Sequence, residues 1–205
     1  MITPTGGPIP DCGLFIAFEG LDGSGKSTQA ALLFKELSDN RPLKPKLLKE
    51  PTEGPIGQFI RQSNGFRLDP KEEIKLFVQD RSIDLEENII PALNEGRTVI
   101  IDRYILSNVA YQGALCSPKE VLEANQNFLW PHLTFILEID VLTGLSRAKK
   151  RGPLQTAFEN APYLDKVKAI YDAFDGPGLI RLNAKLPIEE IFTSITFHVR
   201  KLLTD

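Results

Sequence analysis

The octapeptide Gly20-Leu21-Asp22-Gly23-Ser24-Gly25-Lys26-Ser27 matches G-x-x-x-x-G-K-[ST], and its surroundings constrain the chain more than any other segment. Before it, Leu14 to Phe18 is a short apolar run bounded by Gly13 and Gly20, the pattern of a buried strand. After it, Ala30, Ala31, Leu33, Phe34 and Leu37 recur at helical spacing. A glycine-rich turn joining a strand to a helix aims successive backbone N–H groups and the positive end of the helix at an anion. The predicted phosphate-holding set is Gly20, Asp22, Gly23, Ser24, Gly25, Lys26, Ser27 and Thr28. Within it Lys26 reaches the β- and γ-phosphates, and Ser27 offers its hydroxyl to Mg²⁺.

The rest of the chain repeats the alternation. Lys46 to Lys49 reads as a second, weaker strand, and Ile56, Phe59 and Ile60 as a short helix. Asp69-Pro70 opens a longer helix carrying Ile74, Phe77, Val78, Ile83 and Leu85. The β-branched run Thr98 to Ile101 is a third strand ending in Asp102-Arg103-Tyr104. Ser117-Pro118-Lys119-Glu120 has capping-box spacing, which predicts a following helix with Ser117 as its cap. Further strands are expected at Thr134 to Ile139 and Leu179 to Leu182, and helices at about 141–150, 163–174 and 187–203. The predicted class is therefore α/β, a five-stranded parallel sheet with helices on both faces, its ligands beyond the carboxyl ends of the strands.

Composition narrows the function. With 24 Lys+Arg against 27 Asp+Glu and a net charge of -3, the chain is not a basic wrapper held to nucleic acid by phosphate neutralisation. Its length, 205 residues, suits one domain: a flexible arm at 1–13 rich in Pro and Gly, then a single unit at 14–205. Cys12 and Cys116 are the only cysteines and form no C-x-x-C, so neither a disulfide framework nor a zinc site is predicted. No run approaches the roughly 18 apolar residues of a membrane span, and no secretory leader is legible; a cytoplasmic protein without membrane contact is expected. His132 and His198 read as packing residues. A guanine-specific protein would carry Asn-Lys-x-Asp, which Asn183-Ala184-Lys185 does not supply. A small kinase moving phosphate between two bound molecules fits the size.

On the acceptor side, Phe77 and Arg81 lie one helical turn apart and present a flat ring beside a planar forked donor. Ordinary core packing is the other reading of Phe77. Asp102 and Arg103 end a buried strand, with Ser107, Asn108 and Tyr111 following at helical spacing. An arginine there either grips a phosphate through two parallel N–H contacts or closes the strand as an ion pair with Asp102. Asp102 either holds a Mg²⁺ water or orients the attacking phosphate.

The segments FEGLDGSGKSTQ (Phe18 to Gln29) and DRYILSNVAYQGA (Asp102 to Ala114) resemble the thymidylate kinases, nucleoside monophosphate kinases of P-loop type. The likeness also takes in the Glu50-Pro51 loop, the Phe77/Arg81 helix and the basic RAKKRG at Arg147 to Gly152. It implies the three-layer fold of that family with a short lid at about 147–160 and an acceptor region at about 50–81. It further implies Mg²⁺-dependent transfer of the γ-phosphate of ATP to dTMP, giving dTDP and ADP. By position, Asp22 would face the acceptor sugar's 3′-hydroxyl, Phe77 would stack on thymine, and Arg81 would bond its carbonyl edge. Asn108 would read the base edge, Tyr111 would crowd a 2′-hydroxyl, and Arg103 would bind the acceptor phosphate with Asp102 assisting. Pro51, Arg61, Ser107 and Gln112 complete the expected substrate set, Arg147 belongs with the nucleotide, and Ser27 and Asp102 with the metal. No arginine stands among Leu21, Asp22, Gly23 and Ser24, so the family's catalytic arginine is expected in the lid, with Arg151 preferred. Two segments depart from the family pattern: Thr52-Glu53-Gly54 replaces a glycine pair followed by Thr, and Pro153-Leu154-Gln155-Thr156 lacks the Asp-Arg common there. A homodimer is implied. The competing readings are a kinase for another nucleoside monophosphate or deoxynucleoside, and a nucleotide-binding homologue with weak catalysis.

Overall fold

The computed structural model describes residues 13–40, 45–63, 68–150 and 160–204. The elements run β1 (Leu14–Gly20), α1 (Lys26–Asn40), β2 (Lys46–Lys49), α2 (Pro55–Ser63), α3 (Pro70–Asp84), a π-helical turn (Leu85–Ile89) and α4 (Ile90–Asn94). They continue β3 (Thr98–Asp102), α5 (Ile105–Gly113), α6 (Pro118–Ala124), β4 (Leu133–Glu138), α7 (Val141–Lys149), α8 (Ala161–Ala173), β5 (Leu179–Asn183) and α9 (Ile188–Thr204). All five strands are parallel, in the order β2-β3-β1-β4-β5.

From β1 to β2 the chain crosses the sheet in one direction, and every later crossover runs in the other. Right-handed connections therefore place α1 on one face and the helices between later strands on the opposite face. The last helix, α9, packs beside α1. The predicted three-layer α/β class holds, with every predicted strand and helix present. β1 sits at the centre with β3 on one side and β4 on the other, so the chain turns into the glycine loop where the strand order reverses. Phe15, Ile16, Phe18, Val99, Ile100, Ile101, Phe135 and Ile136 fill the interior. Continuous burial rather than alternation is what a sheet covered on both faces demands.

Local signals behave unevenly. Asp69 caps α3 as expected, accepting from the Lys71 N–H at 2.9 Å. Ser117 does not cap α6 through its side chain, which makes no cap hydrogen bond; only its carbonyl accepts, from Val121 N–H at 3.2 Å. That helix is placed by packing instead, with Pro118 so close that a Cβ on Gly113 would lie 2.8 Å from Pro118 Cα. The long helix begun at Pro70 widens into a π turn before Pro91, which has no N–H to donate and a ring that collides with the carbonyl four residues back. His132 has a partner the sequence did not reveal: its Nδ1 accepts the Phe15 N–H at 2.9 Å, tying the start of β4 to β1.

Candidate active site

Three chain segments meet beyond the carboxyl edge of the central strands: the glycine loop after β1, the Asp102-Arg103 turn after β3, and the first turns of α7 after β4. Gly23 has φ 81, and a Cβ there would fall 2.2 Å from the Gly144 carbonyl oxygen. Conversely, a Cβ on Gly144 would lie 2.8 Å from the Asp22 carbonyl oxygen. The loop thus rests directly on the backbone of α7, an approach only glycine allows at both points. Lys26 is buried and spans the loop, donating to the Leu21 carbonyl at 2.8 Å. Burial, and then the neighbouring Arg103, push its ammonium down to about 8. Ser27 and Thr28 are exposed on the same turn.

Asp22 and Arg103 join the glycine loop to the turn after β3. Arg103 Nη2 donates to Asp22 Oδ1 at 2.6 Å, and the Tyr111 hydroxyl donates to Asp22 Oδ2 at 3.4 Å. Burial works to raise the Asp22 carboxyl, but Arg103 and Lys26 outweigh it and hold the group well below the usual carboxylate range. The Arg103 guanidinium also lies over the Tyr111 ring, 5.1 Å from its centroid. Its backbone has φ 72, a left-handed conformation unusual for a residue with a side chain. Arg103 therefore pairs with Asp22, 81 residues away, and not with Asp102 beside it.

Asp102 turns the other way. Its Oδ2 accepts the Ser27 hydroxyl, while Oδ1 is buried without a hydrogen-bond partner. A hydroxyl and a carboxylate, both hard oxygen donors, lie beside the glycine loop with one carboxylate oxygen unanswered. That donor set fits Mg²⁺, which takes one or two protein oxygens and completes its shell with water and substrate phosphate. Among the described residues there is no group of three or more His, Cys, Asp or Glu able to hold a metal ion.

The predicted base-reading residues form a second, deeper network. Arg81 is 1% exposed and its Nη2 meets Glu50 Oε2 at 2.5 Å, with Nε donating to both Glu50 oxygens at 3.1–3.2 Å. Its Nη1 donates to Asn125 Oδ1 and, at 3.5 Å, to Asn108 Oδ1. Asn125 Nδ2 donates to Asn108 Oδ1 at 2.9 Å, and Asn108 Nδ2 to Gln112 Oε1 at 3.0 Å. Burial pushes the Glu50 carboxyl up to about 7 against the pull of Arg81. Phe77 is half-buried one turn before Arg81. Asp80 anchors the loop after β2 to α3 by accepting from Thr52 N–H at 2.8 Å and from its hydroxyl at 2.6 Å.

The remaining predicted residues are more scattered. Arg61, in the last turn of α2, reaches back to the preceding loop, donating to the Pro51 carbonyl at 2.6 Å and to Glu53 at 3.0 Å. Ser107 is buried behind Arg103, accepting from Nη1 at 3.2 Å. Arg147 ties α7 to the turn after β5 through the Ala184 carbonyl at 2.7 Å. Arg151 and most of the expected lid lie outside the described residues, as do residues 1–12 of the expected arm. Sequence reasoning assigns no role to Glu19, Asn125 or Gly144, and takes in Glu50 only with the Glu50-Pro51 loop. For Glu19 a signal existed, a carboxylate closing an apolar strand immediately before the glycine turn.

The family model described as thymidylate kinase matches residues 18–195. A probable thymidylate kinase of Archaeoglobus fulgidus is 40% identical over 180 residues, covering 87% of this chain and 90% of that one. The thymidylate kinase of Desulfotalea psychrophila is 38% identical over 195 residues, covering 93% and 96%. Among solved structures, thymidylate kinase from Candida albicans superposes with a TM-score of 0.78 at 27% identity, covering 92% of each chain.

Proposed function

The chain belongs to the thymidylate kinase family and is an ATP-dependent dTMP kinase, and from that premise we propose how its own residues divide the reaction. The observation that supports the assignment most is the Asp22–Arg103 pair, a guanidinium from the turn after β3 held against the glycine loop. Lys26 and the loop amides hold the β- and γ-phosphates of ATP. Arg103 takes the phosphate of dTMP, with Asp22 facing the 3′-hydroxyl of the sugar and Tyr111 lying against the same sugar. Phe77 stacks on thymine while Arg81, Asn108 and Gln112 line the polar edge of the base. Ser107 supports Arg103 from behind, and Pro51 and Arg61 complete the substrate set from the 50–61 segment.

Phosphoryl transfer asks the protein for alignment and positive charge more than for covalent chemistry. The attacking acceptor oxygen and the γ-phosphorus must be brought into line between Lys26 on one side and Arg103 on the other. Ser27 and Asp102 are the residues we assign to Mg²⁺, which when bound neutralises charge shared between the β- and γ-oxygens. Arg147 borders the nucleotide, and Arg151 is the lid cation assigned to the transferring phosphoryl group. We place the protein in the cytoplasm; no described helix is long and apolar enough to cross a membrane. We also propose a homodimer built on helical faces, supported by the exposed Phe59 on α2 and Ile83 on α3, and tested by sedimentation.

The test of the acceptor assignment is ADP production at saturating Mg·ATP with dTMP, dUMP, dCMP, dGMP, AMP and thymidine. dTMP should give the highest kcat/KM, with dUMP lower by the roughly 10–200-fold that one methyl group is worth. A preference for any other acceptor would overturn the assignment of Phe77, Arg81 and Asn108.

A further inference from the structure

Glu19 is the penultimate residue of β1 and has 0% exposure. A carboxylate in such a place is costly unless its oxygens are answered. Oε1 accepts the Tyr104 N–H at 2.9 Å, and Oε2 accepts the Ser107 hydroxyl and the Tyr171 hydroxyl, the latter at 3.2 Å. The Ser107 and Tyr171 hydroxyls are themselves 2.9 Å apart. Burial pushes the Glu19 carboxyl up, opposed by the Ser107 bond and the Arg103 charge.

What these partners share is Arg103. Tyr104 follows it in the chain, so Glu19 Oε1 grips the peptide that sets how the chain leaves Arg103. Ser107 Oγ accepts from Arg103 Nη1 at 3.2 Å, so Glu19 Oε2 holds the acceptor that orients the guanidinium. On the other flank, the Arg103 N–H donates to the Phe18 carbonyl at 2.9 Å, one residue before Glu19. A residue at φ 72 persists in that conformation only when its surroundings over-determine it. Here one buried carboxylate constrains it through both backbone and side chain.

We propose that Glu19 is a positioning residue for Arg103, and that Tyr171 extends the same restraint to α8. The inference rests on the assignment of Arg103 to the acceptor phosphate. A guanidinium binds phosphate as a planar fork, so its orientation matters as much as its charge. Glu19 presets that orientation from behind without meeting either substrate, and its loss is felt by dTMP and not by ATP.

The test is titration calorimetry of dTMP and of ATP, each alone, on the full chain carrying Glu19→Gln, Tyr171→Phe, Arg103→Gly and the Glu19→Gln/Arg103→Gly pair. Glu19→Gln should weaken dTMP about tenfold and Tyr171→Phe about threefold, with ATP changed less than about twofold. Once Arg103 is glycine, Glu19→Gln should add nothing, the non-additivity expected of residues acting as one unit. An equal further loss in the Arg103→Gly background, or equal losses for ATP and dTMP, assigns Glu19 to the fold at large and overturns the proposal. Unchanged dTMP binding by Glu19→Gln beside a clear loss by Arg103→Gly overturns the proposal alone. Unchanged binding by Arg103→Gly removes the assignment on which it rests. Should Glu19→Gln fail to fold, Ser107→Ala and Tyr171→Phe keep the carboxylate and carry the same selective loss of dTMP.

Discussion

Replacing Arg103 by glycine and by alanine separates its chemistry from its backbone. Both changes delete the guanidinium, and with it the 2.6 Å contact to Asp22 and the 3.2 Å contact to Ser107. They differ only in the Cβ. At φ 72 a residue with a Cβ bears a left-handed penalty of roughly 1–2 kcal/mol. Glycine escapes it but gives the unfolded chain roughly 0.4–1 kcal/mol of extra conformational freedom. The difference leaves Arg103→Gly more stable than Arg103→Ala by about 0.8 kcal/mol at the middle of the two ranges. For a chain of this size that is about 1–4 °C in Tm, readable by scanning calorimetry. Both variants lose the forked contact proposed for the acceptor phosphate, so kcat/KM for dTMP should fall by about 10²–10³ in each. The order of stabilities therefore reports the backbone and the common loss of turnover reports the guanidinium. A glycine variant melting at or below the alanine variant would refute the strain argument. Near-normal kcat/KM in either would remove Arg103 from the acceptor site.

Four further outcomes follow from the geometry. Because the Lys26 ammonium sits near 8 in the free protein and phosphate oxygens favour its charged form, ATP binding should take up a proton above pH 8 and weaken as pH rises through that value. Calorimetry in buffers of different ionisation heat measures the uptake, and Lys26→Met should abolish it; the absence of uptake in the unaltered protein would contradict the assignment. The same depressed value makes Lys26 unfavourable for folding while charged, so its contribution to stability rises with pH between about 8 and the ordinary 10.5, where the unfolded chain holds the extra proton. Glu50→Ala leaves Arg81 buried and uncompensated, and urea unfolding should show a loss of about 3–5 kcal/mol, where a loss under about 1 kcal/mol would mean the pair is not holding the base pocket. Gly144→Ala drives a Cβ to 2.8 Å from the Asp22 carbonyl and should raise the KM for ATP, whereas an unaltered KM would show that the loop yields freely.

The elements were legible in the sequence because apolar periodicity and glycine punctuation report which faces are buried. β1 and the loop after it were readable for that reason, as was the helical face carrying Phe77 and Arg81. Long-range polar pairing was not. Nothing near Arg81 in sequence indicates that Glu50 and Asn125, 31 and 44 residues away, enclose its guanidinium. The sequence around Arg103 points to a phosphate or to its neighbour Asp102, whereas its partner is Asp22 because the left-handed turn swings the side chain toward the glycine loop. Ser117 shows the limit of local motifs: the helix forms where its spacing predicts, yet the packing of Pro118 on α5, not the side-chain cap, holds it. For Glu19 the sequence carries the place, a carboxylate closing an apolar run before the glycine turn, but not the partners, since its three donors come from two distant helices and the turn after β3.

The most direct measurement follows the phosphorus atom itself. ATP labelled in its γ-phosphate is incubated with Mg²⁺, dTMP and the protein, and the nucleotides are separated. The label should appear in dTDP in step with ADP, and should leave ATP at a negligible rate when dTMP is omitted. Label released as free phosphate at the same rate with or without dTMP would make the protein an ATP hydrolase and contradict the account of the Asp22–Arg103 site as the junction between donor and acceptor.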